Sequence, residues 1–263
     1  MKTIAFFNVK GGVGKTTSSI NVAYILATLY NKRTLLIDLD PQSNATDFYN
    51  RYNQKWTVAN VLTGKGFDAD TGRNVDVDIN DIIVKTDYAN LDILPANLSL
   101  GRVEKELVAD VQTPQQFRLK TAIAKVQDRY DYIILDCSPS AESLVNTNGL
   151  ALADAVLVPL KCDKWATRGL DATIEVVNVI ATYNVNLTFG GCFFVQWENR
   201  NINKTIYDTL HAELGDKMMQ TKIRKNKSAE ETTYACEPLE IYDNKGTATE
   251  DYRKLVAEIL KKI

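Results

Sequence analysis

A glycine-rich stretch near the start of the chain holds lysine and hydroxyl side chains at close spacing. It reads Lys10-Gly11-Gly12-Val13-Gly14-Lys15-Thr16-Thr17 and follows an apolar run at residues 4–9. Glycines let successive backbone N–H groups turn toward phosphate oxygens, while a lysine and a hydroxyl complete a site for a nucleoside triphosphate with magnesium. The stretch is therefore predicted to be a phosphate-binding loop, in which Lys15 contacts the phosphates and Thr16 contacts Mg²⁺.

Three carboxylates follow other apolar runs. Asp38 and Asp40 come after residues 34–37, and Asp136 comes after residues 132–135. In phosphoryl transfer one carboxylate orients the attacking water, while Mg²⁺ and lysines neutralise charge on the transferring phosphate. We therefore expect Asp40 to act on the water, and Asp38 and Asp136 to belong to the metal shell. Without the phosphate loop, the first two would be read as a helix cap and a loop charge.

Short apolar runs alternate with stretches of helical periodicity along the chain. The runs lie at residues 34–37, 91–94, 132–135, 155–159 and 187–195. This alternation predicts an α/β fold with a doubly wound, mostly parallel sheet flanked by helices, in a single domain over residues 1–263. Ligands of such sheets bind beyond the carboxyl ends of the strands, so the phosphate loop and the three carboxylates should meet there. Residues 63–90 are polar and punctuated by glycines, which predicts a surface excursion.

The composition is that of a globular protein. Its 263 residues are 45% hydrophobic, and 31 Lys and Arg residues against 33 Asp and Glu residues leave a net charge of -2. Nucleic-acid binding would therefore depend on local clustering of positive charge. The four cysteines are far apart, which argues against a zinc site or a disulfide framework and favours a reducing, cytoplasmic location. We expect no membrane partner, because no apolar run approaches the length that spans a bilayer.

Four segments resemble the ParA/MinD superfamily of P-loop NTPases, which has a deviant Walker A loop. They are the phosphate loop with its additional lysine Lys10, the segment Asp38-Leu39-Asp40-Pro41-Gln42-Ser43-Asn44-Ala45-Thr46, the segment Asp136-Cys137-Ser138-Pro139-Ser140, and residues 158–170. Within that superfamily the second segment closely resembles the one in ParA and Soj partition proteins. The chain departs from the family pattern at Ser138 and at Lys161, where relatives carry proline and glutamine.

The resemblance implies roles for individual residues. Lys10 would reach across a homodimer to the partner's phosphates, Thr17 would contact the α-phosphate, and Asp40 would be needed for hydrolysis. The implied cofactors are ATP and Mg²⁺, and the implied catalytic residues are Lys10, Lys15 and Asp40. The implied nucleotide-binding residues are Lys10, Gly11, Gly12, Val13, Gly14, Lys15, Thr16, Thr17, Gln196 and Arg224, of which the last two would lie near the adenine.

A basic window lies at residues 217–227 of this slightly acidic chain. It contains Lys217, Lys222, Arg224, Lys225 and Lys227 and no acidic residue. Such a strip can neutralise several phosphates and bind duplex DNA without reading its sequence. Arg200 falls where relatives place a DNA-contacting arginine, and the predicted DNA contacts are Arg200, Lys222, Lys225 and Lys227. On composition alone, a charge run is more often a solvated face.

The resemblance implies a ParA/Soj-type partition ATPase that is cytoplasmic and associated with the nucleoid. ATP would drive formation of a homodimer that binds non-specific duplex DNA, and a ParB-like centromere-binding protein would stimulate a slow hydrolysis. One alternative is a MinD-like membrane-associated protein, which would need a basic amphipathic C-terminal segment, and only Lys261 and Lys262 hint at one. Two others are an iron–sulfur carrier, which would need clustered cysteines, and a DNA-coating protein without hydrolysis.

Overall fold

A seven-stranded sheet forms the centre of the protein in the computed structural model, which describes residues 1–51, 54–68, 72–110 and 114–263. The strands are β1 (Lys2–Phe6), β2 (Thr34–Leu39), β3 (Lys65–Asp68), β4 (Arg73–Asp76), β5 (Val84–Lys85), β6 (Leu91–Leu94), β7 (Tyr132–Cys137), β8 (Ala155–Lys161) and β9 (Thr188–Val195). The sheet has the order β5-β6-β2-β7-β1-β8-β9, and every pair of neighbours is parallel except β5 and β6. The predicted doubly wound, mostly parallel sheet is therefore confirmed.

Helices cover both faces of this sheet. Those of the described residues are α1 (Lys15–Thr28), α2 (Asn44–Phe48), α3 (Val58–Thr63), α4 (Leu100–Ala109), α5 (Arg118–Ile123), α6 (Leu144–Leu152), α7 (Ala166–Ala181), α8 (Asn201–Leu214), α9 (Ser228–Ala235), α10 (Leu239–Tyr242) and α11 (Thr247–Lys262). Apolar residues of α1, α2, α10 and α11 form one core, and those of α3 to α8 form the other on the opposite face. The three-layer arrangement is the one that strands alternating with helices predict.

Alternate side chains of the central strands enter the two cores. In β1, Ile4 and Phe6 pack on the side of α1 and α11, whereas Ala5 packs on the opposite side. In β2, Leu36 and Ile37 divide between the cores in the same way. A parallel strand that is buried on both faces needs an uninterrupted apolar sequence, which is why these strands appear as apolar runs.

The segment at residues 63–90 is partly on the surface and partly in the core. Its strands β3 and β4 form an antiparallel hairpin outside the main sheet, where Phe67 is 62% exposed. After the hairpin the chain returns inward, because Ile79 and Ile82 are buried in the core beneath α3 and α4. It then forms β5 at the edge of the sheet. The excursion is therefore a hairpin whose return path contributes to the fold.

The carboxyl ends of β1, β2 and β7 lie side by side, because β7 pairs with both of the other strands. Phe6 is level with Asp136, and Asp136 is level with Asp38 on the other side. The connection that contains the phosphate loop begins directly after Phe6. The sheet order thus brings the loop and the carboxylates to one edge, as the strand pattern predicts.

Candidate functional site

Residues 7–14 join β1 to α1 and contain the first part of the phosphate loop, whose last residues begin α1. Gly12 and Gly14 have left-handed backbone conformations, with φ of 70° and 76°, which residues with a Cβ adopt only at a cost. Gly14 is also the N-cap of α1. The first amides of a helix have no acceptor within it and carry the positive end of its dipole, so this loop offers an anion-binding concavity.

Two buried polar side chains anchor the start of this loop. The side-chain amide of Asn8 donates to the carbonyl of Pro159 at 2.9 Å, and its Oδ1 accepts from the Lys10 amide at 2.9 Å. The hydroxyl of Thr173, from α7, accepts from the Val9 amide at 3.3 Å. The loop is therefore tied to β8 and α7 before its glycines begin.

The Lys15 side chain is folded into the loop and is 6% exposed. Its ammonium donates to the carbonyl of Lys10 at 3.1 Å, across the space that the loop surrounds. Burial lowers the pKa of Lys15, and the charges of Asp136 and Asp40 act in the opposite direction. Thr16 and Thr17 follow in the first turn of α1. The structure thus brings together the predicted phosphate-binding residues at residues 11–17.

Two buried carboxylates lie beside the loop. Asp38 and Asp136 occupy adjacent positions on β2 and β7, and both are fully buried. Burial raises the pKa of Asp136 to about 8, with a further contribution from the Asp38 charge, although the hydroxyls of Thr16 and Ser19 offset part of the rise. Burial also raises the pKa of Asp38, to about 6, although its hydrogen bonds with Thr46 and the Asp40 amide lower it. Two buried carboxyl groups that lie next to each other resist ionising together.

These residues fit a divalent cation. Oδ1 of Asp136 accepts from the Ser19 hydroxyl at 3.1 Å, whereas its Oδ2 is buried and has no hydrogen-bond partner in the described part of the chain. Carboxylate oxygens and a threonine hydroxyl are the hard donors that Mg²⁺ prefers, and a cation here would favour ionisation of the pair. The orphaned oxygen lies with Asp136, whereas both oxygens of Asp38 are already engaged by protein groups. Asp136 is therefore better placed for the metal shell than Asp38.

Asp40 lies on a short loop that Asp38 holds closed. Oδ1 of Asp38 accepts from the Asp40 amide at 3.1 Å, and Oδ2 accepts from the amide and the hydroxyl of Thr46 at 2.9 and 2.7 Å. Oδ1 of Asp40 accepts from the Gln42 amide at 2.9 Å. Its other carboxylate oxygen has no hydrogen bond to the residues that the structure describes. We expect that oxygen to be the one that meets water.

Lys10 is held by a carboxylate of its own chain. Its ammonium forms an ion pair with Asp163, which lies between β8 and α7. Oδ1 of Asp163 accepts from the Trp165 amide at 2.9 Å. Burial opposes the ionisation of Asp163, but the hydrogen bonds from Lys10 and Trp165 keep its pKa below the usual range. The Lys10 side chain is thus engaged within its own chain, and this ion pair would have to break before Lys10 could contact a second chain.

A cavity of about 360 Å³ opens beside the phosphate loop, and both residues that were expected near the adenine line it. Gln196 follows β9 with a left-handed φ of 51°. Arg224 is fixed against α11, because its Nε and Nη2 donate to the two oxygens of Asp251 at 2.7 and 2.8 Å. The cavity also has Gly14, Thr17, Asn226, Tyr234 and Tyr252 in its wall. Its position permits a base to lie here with its phosphates on the loop.

Three of the four predicted DNA contacts, Arg200, Lys225 and Lys227, are exposed. Arg200 pairs with Glu198 at 2.9 Å, and Lys225 lies 3.9 Å from the same carboxylate. Lys227 is exposed at the N-cap of α9 and has no ionic partner within the described ranges. Lys222, by contrast, is only partly exposed. Glu198 lies outside the basic window, and its carboxylate partly neutralises the charges of Arg200 and Lys225.

Lys222 points its ammonium at aromatic rings. Its Nζ lies 3.4 Å from the centroid of the Tyr207 ring and 5.3 Å from that of Trp197. Burial lowers the pKa of Lys222. Such a cation–π contact is stronger when the cation is desolvated, so Lys222 is less available to a phosphate than the other three cations.

Sequence reasoning assigned no role to Asn8, Thr173 or Asp163. Asn8 contacts Lys10, two residues away in the sequence. Thr173 contacts Val9 and Asp163 contacts Lys10, each from more than 150 residues away in the sequence. A contact between residues far apart in the sequence leaves no periodic signal. The one signal that could have identified Asn8 is its polar side chain within an otherwise apolar run.

None of the helices over the described residues is long and apolar enough to cross a membrane.

Comparison with known proteins places this site in a family. A family model described as an AAA domain matches residues 1–189. The chromosome-partitioning ATPase Soj of Treponema pallidum is 34% identical over 261 residues, which are 98% of this chain and 97% of that protein. The chromosome partitioning protein ParA of Caulobacter vibrioides is 31% identical over 268 residues, covering 100% of this chain and 95% of that one.

Solved structures agree with these matches. A putative plasmid partition protein of Borrelia burgdorferi bound to AMPPNP has a TM-score of 0.80 and 26% identity, over 100% of this chain and 99% of that one. Cobyrinic acid a,c-diamide synthase of Mycobacterium smegmatis with a bound ATP analog and magnesium has a TM-score of 0.79 and 26% identity, over 99% and 95%. The chain therefore belongs to the ParA/Soj family of P-loop partition ATPases.

Proposed function

We propose that this protein is a DNA-partition switch driven by ATP. The observation that carries the proposal is the unpartnered Oδ2 of Asp136, which is buried at the sheet edge where the phosphate loop and Lys15 also lie. An empty acceptor beside an anion-binding loop is what a metal–nucleotide site requires. The names of the relatives, a chromosome-partitioning ATPase and a plasmid partition protein, support the cellular role.

In this proposal the loop residues 11–17 bind the phosphates of ATP, and the cavity beside Gln196 and Arg224 receives the adenine. Thr16 and Asp136 hold Mg²⁺, which neutralises phosphate charge when bound. Asp38 positions the loop that carries Asp40. Asp40 orients the attacking water and is the candidate base.

Homodimerisation and DNA binding form the second half of the proposal. Lys10 contributes to the partner's phosphate site once ATP is bound, and the exposed cations Arg200, Lys225 and Lys227 meet DNA phosphates on the resulting dimer. A ParB-like centromere-binding protein stimulates hydrolysis and so releases the dimer. The protein acts in the cytoplasm on the nucleoid. Its intrinsic hydrolysis is slow.

The nucleotide half is tested by binding and hydrolysis of Mg-ATP. Lys15→Ala should abolish ATP binding, because it removes the buried ammonium from the loop, whereas Asp40→Ala should bind ATP and not hydrolyse it. Lys32→Ala is a matched control, since Lys32 lies just before the amino-terminal end of β2, away from the carboxyl ends of the strands where the phosphate loop lies. Normal ATP affinity in Lys15→Ala would refute the phosphate site.

The DNA half is tested with an arbitrary duplex at low and moderate salt, in the presence of ADP, of ATP, and of ATP with the Asp40→Ala variant. Binding should require ATP, increase in Asp40→Ala and weaken with salt. If no nucleotide state binds the duplex while ATP is still hydrolysed, the partition role is wrong and the ATPase assignment stands. ATP-dependent sedimentation with liposomes would instead favour a membrane-positioning protein.

A further inference from the structure

Thr46 in α2 is a buried residue with all of its hydrogen-bonding groups in use. It is 0% exposed, and its hydroxyl donates to Oδ2 of Asp38 at 2.7 Å. The same hydroxyl oxygen accepts from the amide of Ala96 at 2.9 Å. Because the amide can only donate, the single hydroxyl proton is directed to the carboxylate. The orientation of this side chain is therefore fixed from both sides.

The loop that carries Asp40 is closed at both ends by one carboxylate. Asp38 accepts from the Asp40 amide through one oxygen and from Thr46 through the other. Between these contacts the chain turns at Ser43, which has a left-handed φ of 51° and donates its amide to the Asp40 carbonyl at 2.8 Å. The position of the Asp40 carboxylate therefore depends on how firmly Asp38 is tied to Thr46.

The Ala96 amide attaches this loop to the rest of the sheet. Ala96 lies two residues beyond β6, which is paired with β2 up to the level of Ile37. The preceding residue, Pro95, accepts from the Val58 amide at the start of α3 at 2.8 Å. The Thr46 hydroxyl thus joins the loop that carries Asp40 to Pro95 and Ala96, which the sheet and α3 hold in place. Through this side chain, the segment after β6 is connected to Asp38.

We infer that Thr46 is a positioning residue for ATP hydrolysis, acting through Asp38 on the placement of Asp40. The inference rests on the proposed ATPase activity and adds a residue to it. Thr46 contacts no part of the phosphate loop among its hydrogen bonds, so its hydroxyl affects the geometry of the water-orienting carboxylate and not the binding of ATP. A small misplacement of a catalytic group can cost about 100-fold in rate.

The test compares a variant that loses the Thr46 hydroxyl with a variant that keeps it. Thr46→Val keeps the shape of the side chain, removes the donor to Asp38 and leaves the buried Ala96 amide without its acceptor. We expect kcat for ATP hydrolysis to fall by about 10- to 100-fold, with ATP affinity changed by less than about threefold. Thr46→Ser retains the hydroxyl and should restore kcat to within about threefold of the wild type. If Thr46→Val does not fold, Thr46→Ala and Thr46→Ser form a second pair that differs by the hydroxyl.

Controls separate this role from general stability and from failure of the ATPase assignment. Thr249→Val removes another buried hydroxyl, which donates to the carbonyl of Asp243 in the α10–α11 region, and it should leave kcat unchanged even if the melting temperature falls. The inference is overturned if Thr46→Val keeps wild-type kcat, if its ATP affinity falls in parallel with kcat, or if Thr46→Ser is equally impaired. Absence of hydrolysis by the wild type would instead refute the ATPase proposal, and this role with it.

Discussion

Replacing Asp163 by asparagine is expected to strengthen ATP-dependent dimerisation. The Lys10 ammonium is paired with Asp163, and a lysine in that contact cannot also reach a partner's phosphates. Asparagine keeps an oxygen for the Trp165 amide, which donates to Oδ1 at 2.9 Å, so the local turn should survive. Only the charge that retains Lys10 is removed.

The size of the effect follows from the exposure of the pair. The side chains of Lys10 and Asp163 are 29% and 33% exposed, so water screens their attraction. Partly exposed ion pairs contribute about 0.5 to 1 kcal/mol each. A symmetric dimer breaks two of these pairs, so their removal should favour dimerisation by about 1 to 2 kcal/mol, which is about 5- to 30-fold in the dissociation constant.

Sedimentation equilibrium with Mg-ATP measures this dissociation constant directly. Both proteins should carry Asp40→Ala, so that hydrolysis does not deplete the dimer during the run. Asp171→Asn is a suitable control, because it removes an exposed carboxylate of α7 that makes no ion pair among the described residues. A dimer that is weaker in Asp163→Asn would show that Asp163 prepares Lys10 for its partner, and an unchanged one would show that the pair does not compete with dimerisation.

Three further outcomes follow from the site. Gly14→Ala should weaken ATP binding by about fivefold or more, because alanine would leave the left-handed conformation in the free loop and would have to return to it, at about 1 to 2 kcal/mol, to bind the phosphates. Isothermal calorimetry measures the loss. Burial raises the pKa of Asp136 in the folded protein to about 8, against about 4 in the unfolded chain. The protonated Asp136 carboxyl therefore stabilises the ligand-free protein fully below about pH 4, and this stabilisation is lost as the pH rises through about 8. The melting temperature should therefore fall over that range, and fall less in Asp136→Asn, as calorimetry of both proteins would show. Lys227→Gln should reduce the salt dependence of duplex binding by about one unit of slope, whereas Lys222→Gln should change it less, and fluorescence anisotropy at several salt concentrations compares them.

The fold and the phosphate loop could be predicted because their signals are local. A buried parallel strand needs a run of apolar residues, and the runs at residues 34–37, 91–94 and 132–135 fall within β2, β6 and β7. The glycines at positions 12 and 14 mark backbone that other residues avoid. The sequence pattern also placed Asp38 and Asp136 at the ends of two apolar runs, and the strand order of the structure sets them level with each other.

Contacts between distant parts of the chain could not be predicted in this way. The ion pair of Lys10 with Asp163 joins residues 153 positions apart, and no spacing rule connects them. Lys222 counted as a free cation in the sequence, yet its ammonium faces Tyr207 on α8. Charge composition gives the number of cations in a segment, whereas their availability depends on which side chains the tertiary structure places beside them.

Each functional loop at the carboxyl ends of the strands is tied to another strand or to the segment that follows one. Asn8 ties the phosphate loop to Pro159 of β8, and Thr46 ties the loop bearing Asp40 to the segment after β6. A loop that is anchored only within itself would let its catalytic group drift with its own fluctuations, whereas these anchors connect it to strands whose positions the two cores determine. Asp136 has no such tie at Oδ2, which is buried and has no hydrogen-bond partner among the described residues. Under the proposed function, this oxygen is the atom at which metal binding would complete the site.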